Sequence, residues 1–295
     1  MINIIPDKYK LAIGYTWYSN LSQGICGHMF EMIEYYHTIN PHIRTCMLIC
    51  DQQAFDVIED AIRDKYDFSE DEVQLMLDDI VFFDNPRMVK GDSFLLVDGH
   101  FNGMKNKVLA FNNILAFPCN DLSFQTKQNI TVLQDDRIYG KGYNTIHYVK
   151  KILFDRYKTI GESIPNNLVY ATETARKLYT EFYLELEDEY DGGFLLLTNH
   201  DVDVSDRFEQ VRLPVKNLFE RFDTYIYTPT PNHRDCSPRF IAECKFYGKD
   251  VEYFKIDYMD EDAGLCFRRY DIENDFDGIC LKEDDPIIEI LNGIL

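Results

Sequence analysis

Basic residues are scarce in this chain. Against 51 aspartates and glutamates it carries 30 lysines and arginines, a formal net charge of −21 over 295 residues. Neutralising phosphates with Lys and Arg supplies much of the affinity of a nucleic-acid-binding surface, so a protein built mainly to grip DNA or RNA is excluded over most of this one. Long apolar runs are missing too. None reaches the length of a membrane span, and the first residues, MINIIPDKYK, lack the apolar core of a secretory signal, so a cytoplasmic address without membrane attachment is expected. The eight cysteines, Cys26, Cys46, Cys50, Cys119, Cys236, Cys244, Cys266 and Cys280, include no C-x-x-C pair. They read as reduced and mostly buried, not as disulfides or zinc ligands. No internal repeat and no low-complexity tract interrupts the chain.

What is present is a globular composition, 45% hydrophobic and 14% aromatic, enough for one large core or two medium ones. Apolar runs rich in β-branched and aromatic residues alternate with helical patterns. Strands are expected to begin at Lys10, Arg44, Asp79, Asp92, Asn106 and Ile130, with helices over 27–39 and 53–66 between them. After the break GESIPNN at 161–167, a second series begins at Leu168, Gly193, Asp223, Asp250 and Gly278. The alternation predicts α/β architecture: two Rossmann-like doubly wound domains, residues 1–165 and 166–295, facing a central cleft. One continuous sheet with a long insertion is the competing picture. The acidic clusters at 185–192, 257–264 and 282–286 read as solvated helix ends or loops.

The most informative stretch is CSPRFIAECKFYGKDVEYF, residues 236–254. Ser237 suits a helix cap, Pro238 its first turn and Gly248 its end, and a buried strand follows. The preceding run, FDTYIYTPTPNHRD, is a strand breaking into a Pro-rich loop. The helix start therefore lies beyond the carboxyl edge of a sheet, where backbone N–H groups and the helix dipole favour a phosphate. Strand, loop, small residue and Pro, a helix carrying Glu, then Gly-Lys and a strand resembles the donor segment in the second domain of GT-B glycosyltransferases.

That resemblance implies a fold, a reaction and residue roles. The loop and helix start would hold the diphosphate of a nucleotide sugar, a uridine diphosphate sugar first among them, with Arg207, Arg234, Ser237 and Arg239 around it. Glu243 matches the position that takes the ribose hydroxyls. Where the family often has a small residue and Gly, this chain has His233-Arg234-Asp235. The GT-B class needs no bound divalent ion and no tightly held cofactor, and Arg cations can stabilise the departing nucleotide. The letters D-x-D of the metal-dependent class occur at Asp201-Val202-Asp203, in a loop of the second half. Short length, aromatic and acidic character further resemble tailed-phage transferases that place glucose or arabinose on modified pyrimidines in DNA.

Two loops in the first half complete the expectation. The junction YTWYSNLSQGICGHMF brings Gly24, Gly27 and His28 to the start of a helix, where close approach of a ligand is possible. The spacing GICG is no dinucleotide fingerprint, although Asp51 at the end of the second strand keeps a ribose-binding alternative open. The run LLVDGHFNG ends a strand in Asp98-Gly99-His100, at the edge where ligands bind in open α/β sheets. An attacking hydroxyl must lose its proton, so Asp98, with His100 second, is the candidate general base. The acidic pair Asp135-Asp136 reads as a turn or interdomain contact. The other class of function consistent with the same pattern is a catalytically silent nucleotide- or protein-binding protein.

Overall fold

The computed structural model describes residues 2–4, 6–14, 30, 31, 34, 44–49, 53–82, 88–90, 94–98, 108–110, 113–117, 130–134, 144–147, 152–170, 179–198, 201–212, 215–228, 239–254, 280, 282 and 284–294. The chain divides into two compact units, the first formed by residues 1–157 and 279–295 and the second by 158–278. The single boundary expected between residues 165 and 166 thus gives way to an earlier one and a return of the C-terminal residues to the first unit.

In the first unit the chain runs through β1 (Ile2–Ile4), β2 (Leu11–Gly14), β3 (Thr45–Ile49), α1 (Gln53–Lys65), α2 (Glu70–Asp78), β4 (Ile80–Phe82), β5 (Met88–Lys90), β6 (Phe94–Asp98), β7 (Val108–Ala110), β8 (Asn113–Phe117), β9 (Ile130–Gln134) and β10 (Asn144–His147). Seven of these strands form one parallel sheet in the order β10-β9-β8-β6-β2-β3-β4. Counted along the chain, that is the doubly wound order in which the first strand sits mid-sheet and the winding reverses beside the fourth. The remaining β1, β5 and β7 form a small parallel sheet in that order. Each of them leads directly into one of the three neighbouring strands β2, β6 and β8. The small sheet was not foreseen. The run NKVLAF, expected as a main strand, supplies β7, and the main-sheet strand is NILAF just after it.

Among the described residues, two polar clusters organise this unit, the first partly and the second fully buried. At the amino edge of the main sheet, Tyr9 Oη donates to Asp79 Oδ1 at 2.9 Å and Arg44 donates to the same oxygen. The three residues precede β2, β3 and β4, so one carboxylate gathers three neighbouring strand starts. Burial and the adjacent Asp79 carboxylate push the Tyr9 hydroxyl well above the ordinary tyrosine range. Deeper in, the fully buried Glu31 accepts from Tyr66 Oη at 2.6 Å, Tyr157 Oη at 2.7 Å and the Leu153 N–H at 2.7 Å, with Lys65 Nζ at 3.5 Å. A buried carboxylate is tolerated only when its lone pairs are so occupied. The cluster ties the helical residues around Phe30 and Glu31 to the end of α1 and to the segment at 152–157.

The second unit contains β11 (Asn166–Tyr170), α3 (Tyr179–Glu189), β12 (Gly193–Leu197), β13 (Phe208–Val211), β14 (Thr224–Tyr227), α4 (Arg239–Phe246) and β15 (Asp250–Tyr253). Its five strands are all parallel in the order β13-β12-β11-β14-β15, again with the first strand beside the fourth. Side chains alternate faces along each strand, and the two faces carry different helices. Val169, Phe194, Leu196 and Ile226 pack with Phe182, Tyr183 and Leu186 of α3 in one core. On the other face Tyr225 meets Phe240 of α4 with ring centroids 4.9 Å apart.

The chain ends in α5 (Pro286–Ile294), whose Ile287, Ile288 and Leu291 are buried in the first unit. Asp285 Oδ1 accepts from the Ile287 N–H at 3.0 Å and Pro286 opens the first turn, a capped start in which this acidic run serves as a helix end. Of the strand expected from Gly278, only Cys280 is among the described residues, and it is not in the second sheet. Cys280 makes an isolated bridge with Ile152 of the first unit instead.

Candidate functional site

In open parallel sheets, ligands bind beyond the carboxyl ends of the strands where the winding reverses. The chain has two such places, one in each unit, and each is described on its own.

In the first unit the reversal lies between β2 and β6. Gly14 is in register with Val97, so Asp98, the last residue of β6, stands at the carboxyl edge just beyond the end of β2. The sequence expectation and the topology therefore agree on the place of Asp98. Gly24, Gly27 and His28 in the loop after β2, His100 after β6, and Asp51, Asp135 and Asp136 lie outside the described residues.

In the second unit the reversal lies between β11 and β14, which end at Tyr170 and Tyr227. The helix that follows β14 is the one anticipated from its punctuation. Its C-terminus is a full Schellman cap: Gly248 has φ of 69°, its N–H donates to the Lys245 carbonyl at 3.0 Å and the Lys249 N–H to the Cys244 carbonyl at 2.9 Å. Ser237, Pro238 and Arg234 lie outside the described residues, while Arg239 and Glu243 are both on α4.

Arg239 and Glu243 meet each other. Nε of Arg239 donates to Glu243 Oε1 at 2.7 Å, and the side chains are 1% and 0% exposed. Spaced four residues apart on one helix face, they form an ion pair inside the unit, a geometry in which each charge compensates the desolvation of the other. A Glu243 carboxylate committed to Arg239 and shut from solvent is not presented to ribose hydroxyls. Its geometric role is to hold Arg239 at the first turn of α4. Cys244, next to it, has its thiol pushed far up by burial and then by the Glu243 charge, which makes it inert at neutral pH.

Arg207 does not join this place. It precedes β13 and so sits at the amino edge of the sheet, opposite the carboxyl ends. Its guanidinium donates to the carbonyls of Glu187 at 2.8 Å, Tyr190 at 2.6 Å and Gly192 at 3.0 and 2.8 Å, and lies 5.1 Å from the Phe194 ring. That is the work of a helix terminator for α3, not of a phosphate ligand. The buried Lys249 is likewise at the amino edge, bonded to Ser163, with its ammonium pKa lowered by desolvation.

The Asp201-Val202-Asp203 loop follows β12 at the carboxyl edge. Gln210 clamps it by accepting from the Val202 N–H at 2.9 Å and donating to the Val202 carbonyl at 2.7 Å, and Asp201 pairs with Arg212 at 2.8 Å. Both partners of that ion pair are well exposed, so it contributes little stability.

What the sequence did not reveal is a row of tyrosines. The β11–β14 register pairs Val169 with Ile226, which sets Tyr170 level with Tyr227, and Tyr227 is paired with Tyr253. Three half-buried tyrosines thus stand in line at the carboxyl edge, on the face that carries α4. Burial raises the pKa of the Tyr170 hydroxyl. No family model, curated protein or solved structure matches this chain. The functional reading therefore rests on topology and on the side chains above.

Proposed function

We propose that this protein transfers a sugar from a nucleoside-diphosphate sugar to a hydroxyl acceptor, in the manner of the GT-B glycosyltransferases that its 236–254 segment resembles. The observation that supports the reading is the strand order: the two larger parallel sheets have their first strand beside their fourth, the topology in which open α/β sheets take ligands at the carboxyl edge. A pair of such units suits a reaction with two substrates. In this reading the second unit holds the donor, its diphosphate near the start of α4, where the helix dipole supplies positive charge; Arg239, expected from the sequence to share that work, is instead shut from solvent in its ion pair with Glu243. The first unit supplies the base at Asp98.

The chemistry is a substitution at the anomeric carbon. The acceptor oxygen forms its bond to that carbon as the bond to the diphosphate oxygen breaks, the nucleoside diphosphate leaves with the electron pair, and the Asp98 carboxylate takes the hydroxyl proton. The helix dipole at the start of α4 stabilises the departing charge. The net charge of −21 favours a small molecule, a nucleotide or a protein as acceptor over duplex DNA, whose phosphates it would repel. A modified pyrimidine in DNA is the acceptor that the phage resemblance implies, and it forms one arm of the assay.

The test is thermal-shift screening against uridine, guanosine, adenosine and cytidine diphosphates and their sugar conjugates, with and without Mg²⁺. Transfer and donor hydrolysis are then measured on small hydroxyl acceptors and on DNA. The expected result is selective stabilisation by one nucleoside diphosphate, indifferent to Mg²⁺, with Asp98→Asn lowering turnover by at least about a hundredfold at unchanged donor affinity. Binding without turnover or hydrolysis on any acceptor would establish a silent nucleotide-binding protein, and no shift with any nucleotide would overturn the donor site altogether.

A further inference from the structure

Lys249 is a buried cation whose side chain has a serine as its hydrogen-bond partner. Gly248 closes α4 in the left-handed conformation and sets Lys249, 4% exposed, just before β15. From there the side chain passes Phe222, 5.5 Å from the ring centroid, and donates to Ser163 Oγ. Among the described residues Nζ makes no ion pair and no other hydrogen bond. A buried ammonium is ordinarily matched by a carboxylate, because an unpaired charge out of water is costly. Here the groups that face it are Asp223 before β14, Glu220 in the turn Leu218–Glu220 and the Cys244 thiol of α4. None pairs with it, and desolvation outweighs their pull and lowers its pKa. Ser163 is fixed from both sides: the Gly161 N–H donates to Glu220 Oε1 at 3.0 Å and the Ile164 N–H to the Glu220 carbonyl at 2.9 Å. Its own N–H donates to nothing among the described residues. The residue is half-buried on a segment whose Glu162, Ile164 and Pro165 are exposed, so the serine is within reach of solvent while the lysine is shielded from it.

We infer that Ser163 and Lys249 form a nucleophile–base pair that takes acyl groups from small carboxylic esters, a second reactive site at the amino edge of the second sheet. A serine hydroxyl is a weak nucleophile until a neighbouring base removes its proton, and a desolvated lysine amine is such a base. With Lys249 neutral the contact reverses, and Ser163 Oγ–H donates to Nζ. Oγ then forms its bond to the ester carbonyl carbon while Nζ takes the proton. As the bond from that carbon to the alcohol oxygen breaks, the alcohol leaves with the electron pair and takes the proton from Nζ. Acyl-Ser163 remains. Water attacks it in the same way, its proton passing to Nζ and then to Ser163 Oγ, and a carboxylic acid is released. The unengaged Ser163 N–H is the donor for the carbonyl oxygen as it gains negative charge. Ile164, 53% exposed beside it, supplies apolar surface for a short acyl chain.

The experiment incubates the whole protein with para-nitrophenyl acetate, follows nitrophenolate release and locates the acetyl group by peptide mass spectrometry. Ser163→Ala, Lys249→Met and Lys249→Arg are run alongside, each first shown to melt at the parent temperature within a few degrees. In the parent, Ser163 should carry the acetyl group, and its acetylation rate should rise with pH to a plateau, with a midpoint below the ordinary lysine value of 10.5. Ser163→Ala should lose that label. Both lysine variants should slow acetylation of Ser163 about a hundredfold or more. Arg keeps the charge and the donor but cannot serve as the base. Two outcomes that need no variant to fold would overturn the pair: no acetyl group on Ser163 of the parent, or an acetyl group on Lys249 in its place. Parent-like acetylation of Ser163 in Lys249→Arg would overturn it as well, and would leave the lysine as a fastening for the segment before β11. The donor-site reading stands or falls independently of all these results.

Discussion

Tyr183 is buried in the core between β12 and α3, in edge contact with Phe182 and Phe208, and its hydroxyl has no hydrogen-bond partner among the described residues. Burial pushes that hydroxyl up to about 12. A buried donor without an acceptor costs roughly 1–3 kcal/mol, whereas removing it leaves an isosteric ring in the same place. Tyr183→Phe is therefore expected to leave stability unchanged or raise it by about 1 kcal/mol, read from urea unfolding midpoints at constant slope. A clear loss of stability would mean that the hydroxyl is engaged. Glu34 poses the opposite question. Burial first, with the Glu72 and Asp79 carboxylates adding to it against Arg156, raises its pKa from the ordinary 4.5 to about 7. The folded state then holds the proton more tightly than the unfolded chain, so its contribution is complete below pH 4.5 and is lost as pH rises through about 7. At about 1.4 kcal/mol per unit, discounted for partial exposure, this amounts to on the order of 1–2 kcal/mol. Glu34→Gln should flatten the fall in stability across that window, and an unaltered pH profile in the variant would show that another group is responsible.

At the scale of elements, α3 is the instructive case. It ends in a run of acidic residues, Glu185, Glu187, Asp188 and Glu189, where the helix dipole favours cations. Arg207 supplies the missing positive charge from outside the helix and occupies carbonyls that the last turn leaves without intrahelical donors. Arg207→Ala should destabilise the second unit by about 2 kcal/mol with nucleotide affinity unchanged, and Arg207→Lys should not restore it, because one ammonium cannot span the three acceptors that the planar fork reaches. A loss of nucleotide affinity at unchanged stability would return Arg207 to the donor site. By contrast, α2 carries its own signal: Ser69 and Glu72 form a reciprocal capping box, written in the sequence as S-x-x-E.

For the molecule as a whole, the alternation of strands and helices was legible because buried parallel strands are near-continuous apolar runs bounded by loop residues. The start of β14, the extent of α4 and its Gly248 stop, and the position of Asp98 at a strand end all follow from such local marks. What was not legible depends on register and on the direction of chain travel. Arg207 follows a strand in sequence, but the chain has already crossed back to the amino edge by the time it reaches β13. The tyrosine row exists only once three strands from distant parts of the sequence are laid side by side. Glu243 looked available because nothing in a linear reading says that the residue one turn earlier will claim it. The small sheet of β1, β5 and β7 was merged with the main strands because a short break between two apolar runs does not announce a change of sheet.

The return of residues 279–295 to the first unit makes the second unit an insertion within the first, held at both ends. Two covalent strands, not one, join them. The burial of α5 also means that the first unit can be completed only after the second has been synthesised, so on the ribosome the inserted unit is in position to fold first while the larger sheet waits for its last helix.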